Sequence, residues 1–485
     1  MTMRFLPLKF AILPATLTLL LIWTGCGGSA SSVTPAAASL SASTVTFAGQ
    51  TLGGSSSVTV LLTNTGGSTL NINDMALAGA NSGDFAGSGT CGKTLAGGAS
   101  CSLTLSFTPA ATGLRTASLT ISDSASDSPQ TIAITGTGLN PGDTVDPLGA
   151  AAAISVSCSS ADSGDQGEPN GTCYNVKVSC PGVDDEIAGV KVNDPTGAKG
   201  TVTYMVGGGG KPWYDTNFVF GVTAVDMVAS AGFRTAQIDF YSKPTGFPGN
   251  GVFAGWLTGP GGTRALSCRF STVSKWIYDN IRQPGTPFCH TGNSGGAAAP
   301  AYALAYHGFD AYYTFVELTS GPAFTRIDKG CICDPLNSHD VTCGPDGPEP
   351  PTPQAECYLA DGTAFVDPSY NPTTHECTDS MSGDLTFQQK FYEDSIATPD
   401  AVYSFPHVKM NFVFGGQDTG SAKPQGYEWI DGGSTSPDGL FTSPPVTGLN
   451  GAAPTRACVA DAPHPIPDVL DGAQQVANDL IANCQ

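Results

Sequence analysis

The residues most able to do chemistry lie in Gly292-Asn293-Ser294-Gly295-Gly296, a match to G-x-S-x-G. A short apolar run, Pro287 to Cys289, precedes it, and the alanine-rich run Ala297 to Tyr306 after it is predicted to be helical. Strand, sharp turn and helix is the setting that lifts a serine hydroxyl clear of a sheet. A hydroxyl is a weak nucleophile, so it must project where a base can reach it. Glycines tolerate the strained turn because they carry no Cβ. Ala297, Ala298 and Ala299 would let the helix pack closely beneath. A chain with 61 Gly can hold such a pattern by chance, so the partners of Ser294 decide its meaning.

A nucleophilic serine needs a base, and the base needs an orienting carboxylate. The chain has six His. His290 lies on the run before the turn, and His307 ends the helix after it. His339 and His375 fall in an irregular stretch. His407 begins the apolar run Val408 to Phe414, at the end opposite to where the sites of parallel sheets gather. His464 sits in Asp461-Ala462-Pro463-His464-Pro465, after the last strand candidate, Ala457 to Val459, and before a terminal helix. For the acid, Phe412-Val413-Phe414-Gly415-Gly416-Gln417-Asp418 offers a strand, two glycines and a carboxylate. Asp328, beyond strand Tyr313 to Thr319, is the alternative. Gly207 to Gly210, after strand Thr201 to Val206, can present backbone N–H groups to a developing oxyanion: Gly208 and Gly209 are the candidates, with the N–H of Gly295 as the second donor. The four glycines are not a phosphate loop, because Lys211-Pro212-Trp213-Tyr214 begins no helix and gives no Lys-Ser/Thr pair.

The elements that would hold these residues alternate between strand and helix. Strands are expected near Ile154 to Val156, Tyr174 to Val178, Gly189 to Val192, Thr201 to Val206, Thr235 to Phe240, Tyr313 to Thr319 and Val408 to Phe414. Helices are expected over Phe218 to Ala231, Arg264 to Ile281 and Pro467 to Asn483, the last with apolar residues on helical spacing. Such alternation predicts a mostly parallel sheet with helices on both faces. The rhythm breaks over about 322–400, where five cysteines and the Pro-rich run Gly344 to Pro353 suggest an irregular, disulfide-pinned cap.

Gly207 to Gly210, Ser294, Asp418 and His464, taken in that order at strand ends, resemble the α/β-hydrolase superfamily over residues 154–485. Val206 stands where the superfamily's HGGG-type motif carries His. The resemblance implies attack by Ser294 on a carbonyl, an acyl-enzyme and hydrolysis by water, with no metal or cofactor. A carboxylic-ester hydrolase acting on a small-molecule or polymer ester is the leading expectation. A serine peptidase on the same fold, or a surface binding protein with a degenerate hydrolase fold, are the alternatives.

Upstream, residues 39–140 read as all-β, with short alternating runs such as Ser102 to Phe107 and Ala117 to Ile121 between Gly, Asn, Asp and Ser clusters. That pattern predicts a β-sandwich. Leu62-Thr63-Asn64-Thr65-Gly66, Cys91 with Cys101, Phe107-Thr108-Pro109 and Ile134-Thr135-Gly136-Thr137-Gly138 resemble the immunoglobulin-like ASPM–SPD-2–Hydin module of bacterial surface proteins. The resemblance implies a spacer or interaction role, and Cys91 is expected to pair with Cys101. Residues 141–153 are expected to form a linker.

At the start, Arg4 and Lys9 precede the apolar run Phe10 to Trp23, which is short for a membrane span. Residues 1–25 are read as an export signal. Thr24-Gly25-Cys26 resembles a bacterial lipoprotein signal with Cys26 as the lipidated residue, and Trp23 stands where that pattern usually has Leu. Residues 26–38 would then be a tether, holding the protein to the cell envelope by a lipid, or leaving it secreted if Cys26 is unmodified. Setting Cys26 aside, the 15 Cys leave 14, an even number suited to disulfides in an oxidising compartment. Cys331-Ile332-Cys333 is too tight for a standard zinc knuckle. The net charge of −21 disfavours nucleic acid and anionic membrane surfaces as partners.

Overall fold

The computed structural model describes residues 33–47, 50–111, 113–139, 146–156, 171–333, 338–339, 354–355, 357–371, 373–432 and 443–485. The export signal, Cys26, Cys158, Cys343 and the Pro-rich run lie outside the described residues, as does the side chain of His339.

The first part is a β-sandwich of a four-stranded and a six-stranded sheet. Strand Ser100–Phe107 shows how the sequence builds it. Cys101, Leu103, Leu105 and Phe107 are buried while the residues between them are not, the period-2 pattern of a sheet with one wet face. Their side chains join Val60, Leu62, Leu119, Ile121, Ile132 and Ile134 in one core. Phe107 stacks on Phe85 with ring centroids 4.9 Å apart. Cys91 and Cys101 are joined by a disulfide.

The second part is built on a nine-stranded sheet. In chain order its strands are β1 (Ala150–Ser155), β2 (Thr172–Ser179), β3 (Glu186–Asn193), β4 (Thr201–Met205), β5 (Arg234–Asp239), β6 (Phe288–Asn293), β7 (Phe315–Thr319), β8 (Lys409–Gly415) and β9 (Thr455–Val459). In space the order is β1-β2-β3-β5-β4-β6-β7-β8-β9. The pairings from β1 to β5 are antiparallel, and those from β5 through β4 to β9 are parallel. Every residue of β4, β6 and β7 is buried, because helices cover both faces of the parallel half.

Helices α1 (Tyr214–Asn217), α2 (Gly221–Ser230), α3 (Thr263–Asn280), α4 (Gly295–His307), α5 (Ile327–Ile332), α6 (Asp367–Tyr370), α7 (Glu376–Met381), α8 (Gln388–Asp394), α9 (Ala422–Asp431) and α10 (Leu470–Asn483) complete the part. One core contains Phe288 of β6 with α3 and α4, and the other contains Cys289 of β6 with α2 and α10. Adjacent residues of β6 thus face opposite cores, as the pleat requires.

Two expectations need correction. The sheet begins inside the stretch read as linker, because Ala150–Ser155 pairs antiparallel with β2. Among its described residues the cap is not irregular: α5 to α8 fall within it, the disulfide Cys331–Cys377 joining α5 to α7 and Cys333–Cys357 joining the end of α5 to the segment before α6.

Every cysteine among the described residues is disulfide-bonded. Cys289–Cys484 ties β6 to the end of the terminal helix across 195 residues of sequence. Closing so long a loop restricts the unfolded chain most. The double variant Cys289→Ala/Cys484→Ala is expected to lose on the order of 3–5 kcal/mol, read as a lower urea midpoint. An unchanged midpoint would show that the bridge adds nothing.

Candidate active site

The turn between β6 and α4 is a strained one. Ser294 has φ 57° and ψ −115°, a region that non-glycine residues occupy at a cost of about 1–3 kcal/mol unless the surroundings impose it. Here they do. The Ser294 N–H donates to Thr319 O of β7 at 2.9 Å, and Ser294 O accepts from Ala297 and Ala298 at 3.0 Å. Gly292 passes so close to Gly296 that a Cβ on it would collide with the Gly296 carbonyl. The side chain of Asn293 is buried and fixes the turn from below. Its Oδ1 accepts from Thr319 Oγ1 at 2.8 Å and from the Ile466 N–H at 3.2 Å. Asn293 therefore connects the serine turn to the loop that carries His464, a role its sequence position as the variable residue of G-x-S-x-G gave no reason to expect.

The structure brings Asp418 and His464 together. His464 Nδ1 lies 3.1 Å from each carboxylate oxygen of Asp418, whose side chain is fully buried. Asp418 Oδ1 also accepts from the Gly420 N–H at 2.7 Å. A carboxylate on Nδ1 selects the tautomer that leaves Nε2 without a proton. Burial disfavours the imidazolium, but the hydrogen bond and charge of Asp418, with Asp361 adding to them, outweigh it and raise the His464 pKa above its ordinary value.

The side chain of Asp328 hydrogen-bonds and ion-pairs with Arg326, not with His464. It is fully buried and forked by Arg326, with Nε–Oδ1 2.8 Å and Nη2–Oδ2 2.6 Å. Arg326 and Lys329 continue the network to Glu428. The remaining described histidine rings have partners elsewhere. His290 is buried and held neutral, its pKa lowered by burial to about 3, with Nδ1 on Thr203 Oγ1 at 2.7 Å. His307 contacts Ser267 and the Asp146 carbonyl. His407 pairs with Asp310 at 2.7 Å, ahead of the first residue of β8 and so at the far end of the sheet. His375 is exposed beside Asp367.

Ser294 and His464 line one cavity of about 430 Å³, a volume suited to a small molecule or one end of a polymer. Gly207, Gly208, Gly209, Lys211, Phe218 and Gly295 line it as well. A Cβ on Gly295 would strike the Gly208 backbone, so the glycine loop lies directly against the start of α4. The cap contributes Tyr358, Asp361 and Phe365. None of these three was expected from sequence. They follow Cys357 directly, and the Cys333–Cys357 bridge anchors that segment beside α5. Asp361 Oδ2 accepts from Ser421 Oγ at 3.1 Å, joining the cap to the loop after β8. Among the described residues no group of three or more His, Cys, Asp and Glu could hold a metal ion.

Residues 38–137 match the family model of the HYDIN/CFA65/VesB-like Ig-like domain. No curated protein sequence matches the chain. Solved structures similar to it include a dienelactone hydrolase from Anabaena variabilis at 14% identity, covering 65% of this chain and 97% of that one with a TM-score of 0.32. An acetyl xylan esterase from Paenibacillus sp. R4 is similar at 12% identity over 69% and 89%, with a TM-score of 0.36. A protein from Porphyromonas gingivalis W83 is similar at 12% identity over 22% and 50%, with a TM-score of 0.19, so this chain spans half of its length. The chain thus carries an Ig-like sandwich followed by an α/β domain built on one nine-stranded mixed sheet.

Asp361 is exposed and raises the His464 pKa by its charge. If His464 is a base, activity rises with pH as it loses its proton, so a raised pKa sets the acid limb at higher pH. Asp361→Asn removes one negative charge from the imidazolium's surroundings. The acid limb of kcat/KM is expected to move to lower pH in that variant, and a limb that stays or rises would contradict the role of Asp361.

Proposed function

We propose that this protein is an exported serine hydrolase, with carboxylic esters as its substrates. The observation that carries the reading is the buried Asp418 holding His464 by Nδ1 at the edge of the cavity that Ser294 also lines. Ser294 Oγ attacks the ester carbonyl while His464 Nε2 takes its proton. The negative charge that develops on the carbonyl oxygen is met by the N–H of Gly295 and those of Gly208 and Gly209. His464, now charged and balanced by Asp418, returns the proton to the departing alcohol. Water then attacks the acyl-enzyme by the same route. Esters are favoured over amides only as the less demanding substrate for this machinery.

The twelve disulfide-bonded cysteines among the described residues suit an oxidising compartment. No helix of the described residues is long and apolar enough to cross a membrane. A lipid on Cys26 would hold the chain at the envelope, with the sandwich as spacer. The test is turnover of p-nitrophenyl acyl esters and of peptide p-nitroanilides by the wild type and by Ser294→Ala. Ester turnover that falls by about 10⁴-fold or more in the variant supports the proposal. Cleavage of anilides alone would reassign the protein as a peptidase. Turnover of neither by folded protein would leave a binding role.

A further inference from the structure

A cation lies fully buried behind the glycine loop, on a residue the mechanism above does not use. Arg269 projects from α3 and has no exposed surface. Burying a guanidinium is unfavourable unless its donors are engaged. Its Nη1 donates to two carbonyls of one turn, Trp256 O at 2.9 Å and Thr258 O at 2.6 Å. Its Nη2 donates to Asp184 O at 2.9 Å, and Glu186 Oε2 of β3 lies 3.3 Å from Nε. The same turn is closed by the Ala254 N–H on Thr258 Oγ1 at 2.6 Å. It then grips the glycine loop: the Trp256 N–H donates to Gly209 O at 3.0 Å, and Gly209 and Gly255 lie backbone to backbone, with no room for a Cβ on either. On the loop's other flank the Phe240 N–H donates to Gly210 O at 2.8 Å.

We propose that Arg269 is a positioning residue for the oxyanion hole, acting through the 254–258 turn, which holds the Gly209 carbonyl and packs against the Gly209 backbone and so sets where the Gly208 and Gly209 N–H groups lie. This rests on the serine-hydrolase reading of the site. A planar fork with several donors can fix two carbonyls of one turn at once, which a lysine's single ammonium at the same depth cannot reproduce. Loosening the turn would let the loop's N–H groups drift from the position of the developing charge. Such a drift weakens stabilisation of the transition state and leaves substrate binding almost untouched.

The experiment is steady-state kinetics on Arg269→Lys and Arg269→Met in the full chain, with active serines counted by exhaustive titration with a fluorophosphonate. Counting sites removes any misfolded fraction. The expected result is kcat per titrated serine lowered by about 10–100-fold in Arg269→Met and by a smaller factor in Arg269→Lys, with KM within about threefold of wild type. If Arg269→Met does not fold, a loss of kcat per titrated serine in Arg269→Lys carries the same meaning. Variants whose kcat per titrated serine equals that of a labelled wild type would overturn this proposal alone. A wild type with no titratable serine would overturn the parent reading and this one with it.

Discussion

Asp418→Asn is expected to lower kcat by about 10⁴-fold, the scale set when a triad carboxylate becomes an amide. The geometry explains why the change is severe. The Gly420 N–H at 2.7 Å from Oδ1 requires an acceptor there, so the amide oxygen takes that place and the amide nitrogen takes the other. That nitrogen then faces His464 Nδ1, from the position where Oδ2 lies 3.1 Å away, and donates to it. The imidazole proton moves to Nε2, the nitrogen that should receive the proton of Ser294. The fold is expected to persist, since the substitution keeps shape and hydrogen bonds. Asp328→Asn should do the reverse. It takes a charged partner from the buried Arg326 and is expected to destabilise the protein by on the order of 3–5 kcal/mol, with kcat per folded molecule close to wild type. Equal losses of kcat in both variants would mean that neither carboxylate has the assigned role.

Gly209→Ala is the second large effect. The added Cβ would overlap the Ala254 carbonyl oxygen. That atom is backbone and belongs to the turn pinned by Trp256 N–H on Gly209 O, so it cannot rotate aside as a side chain could. The glycine loop must move instead, and its N–H groups move with it. Losing one oxyanion donor lowers kcat by about 10²–10³-fold, and a loss in that range is expected here with KM little changed. Gly92→Ala is a useful contrast, since nothing lies within 4 Å of its Cβ position in the sandwich and its φ is not positive, and activity should not respond. A Gly209→Ala variant with wild-type kcat would show that the loop takes no part in the transition state.

Much of the candidate site was legible because its residues stand at points the chain must punctuate. Ser294, Asp418 and the glycine loop each follow a buried apolar strand, and glycines mark each strand end. His464 lies between two prolines just beyond β9. The order Ser294, Asp418, His464 along the chain could therefore be proposed without knowing how the sheet was arranged. What escaped reading did so for physical reasons. Ala150–Ser155 has the composition of a linker and becomes a strand only because β2 offers it an edge, a tertiary contact overriding local preference. Helix α9 was missed because Lys423, Gln425 and Glu428 are buried in it, so its polar residues break the apolar periodicity on which a helix is recognised. The cap helices α5 to α8 are only four to seven residues long, too short to show apolar periodicity, and a disulfide ties α5 to α7. Asp361 reaches the cavity on that segment, and no local pattern could have placed it there.

Labelling of the purified protein with a fluorophosphonate probe, followed by peptide mapping, tests the central claim most directly. The account predicts a single adduct on Ser294, absent from Ser294→Ala and strongly slowed in His464→Ala. A folded protein that takes up no probe, or carries it on a different serine, would contradict it.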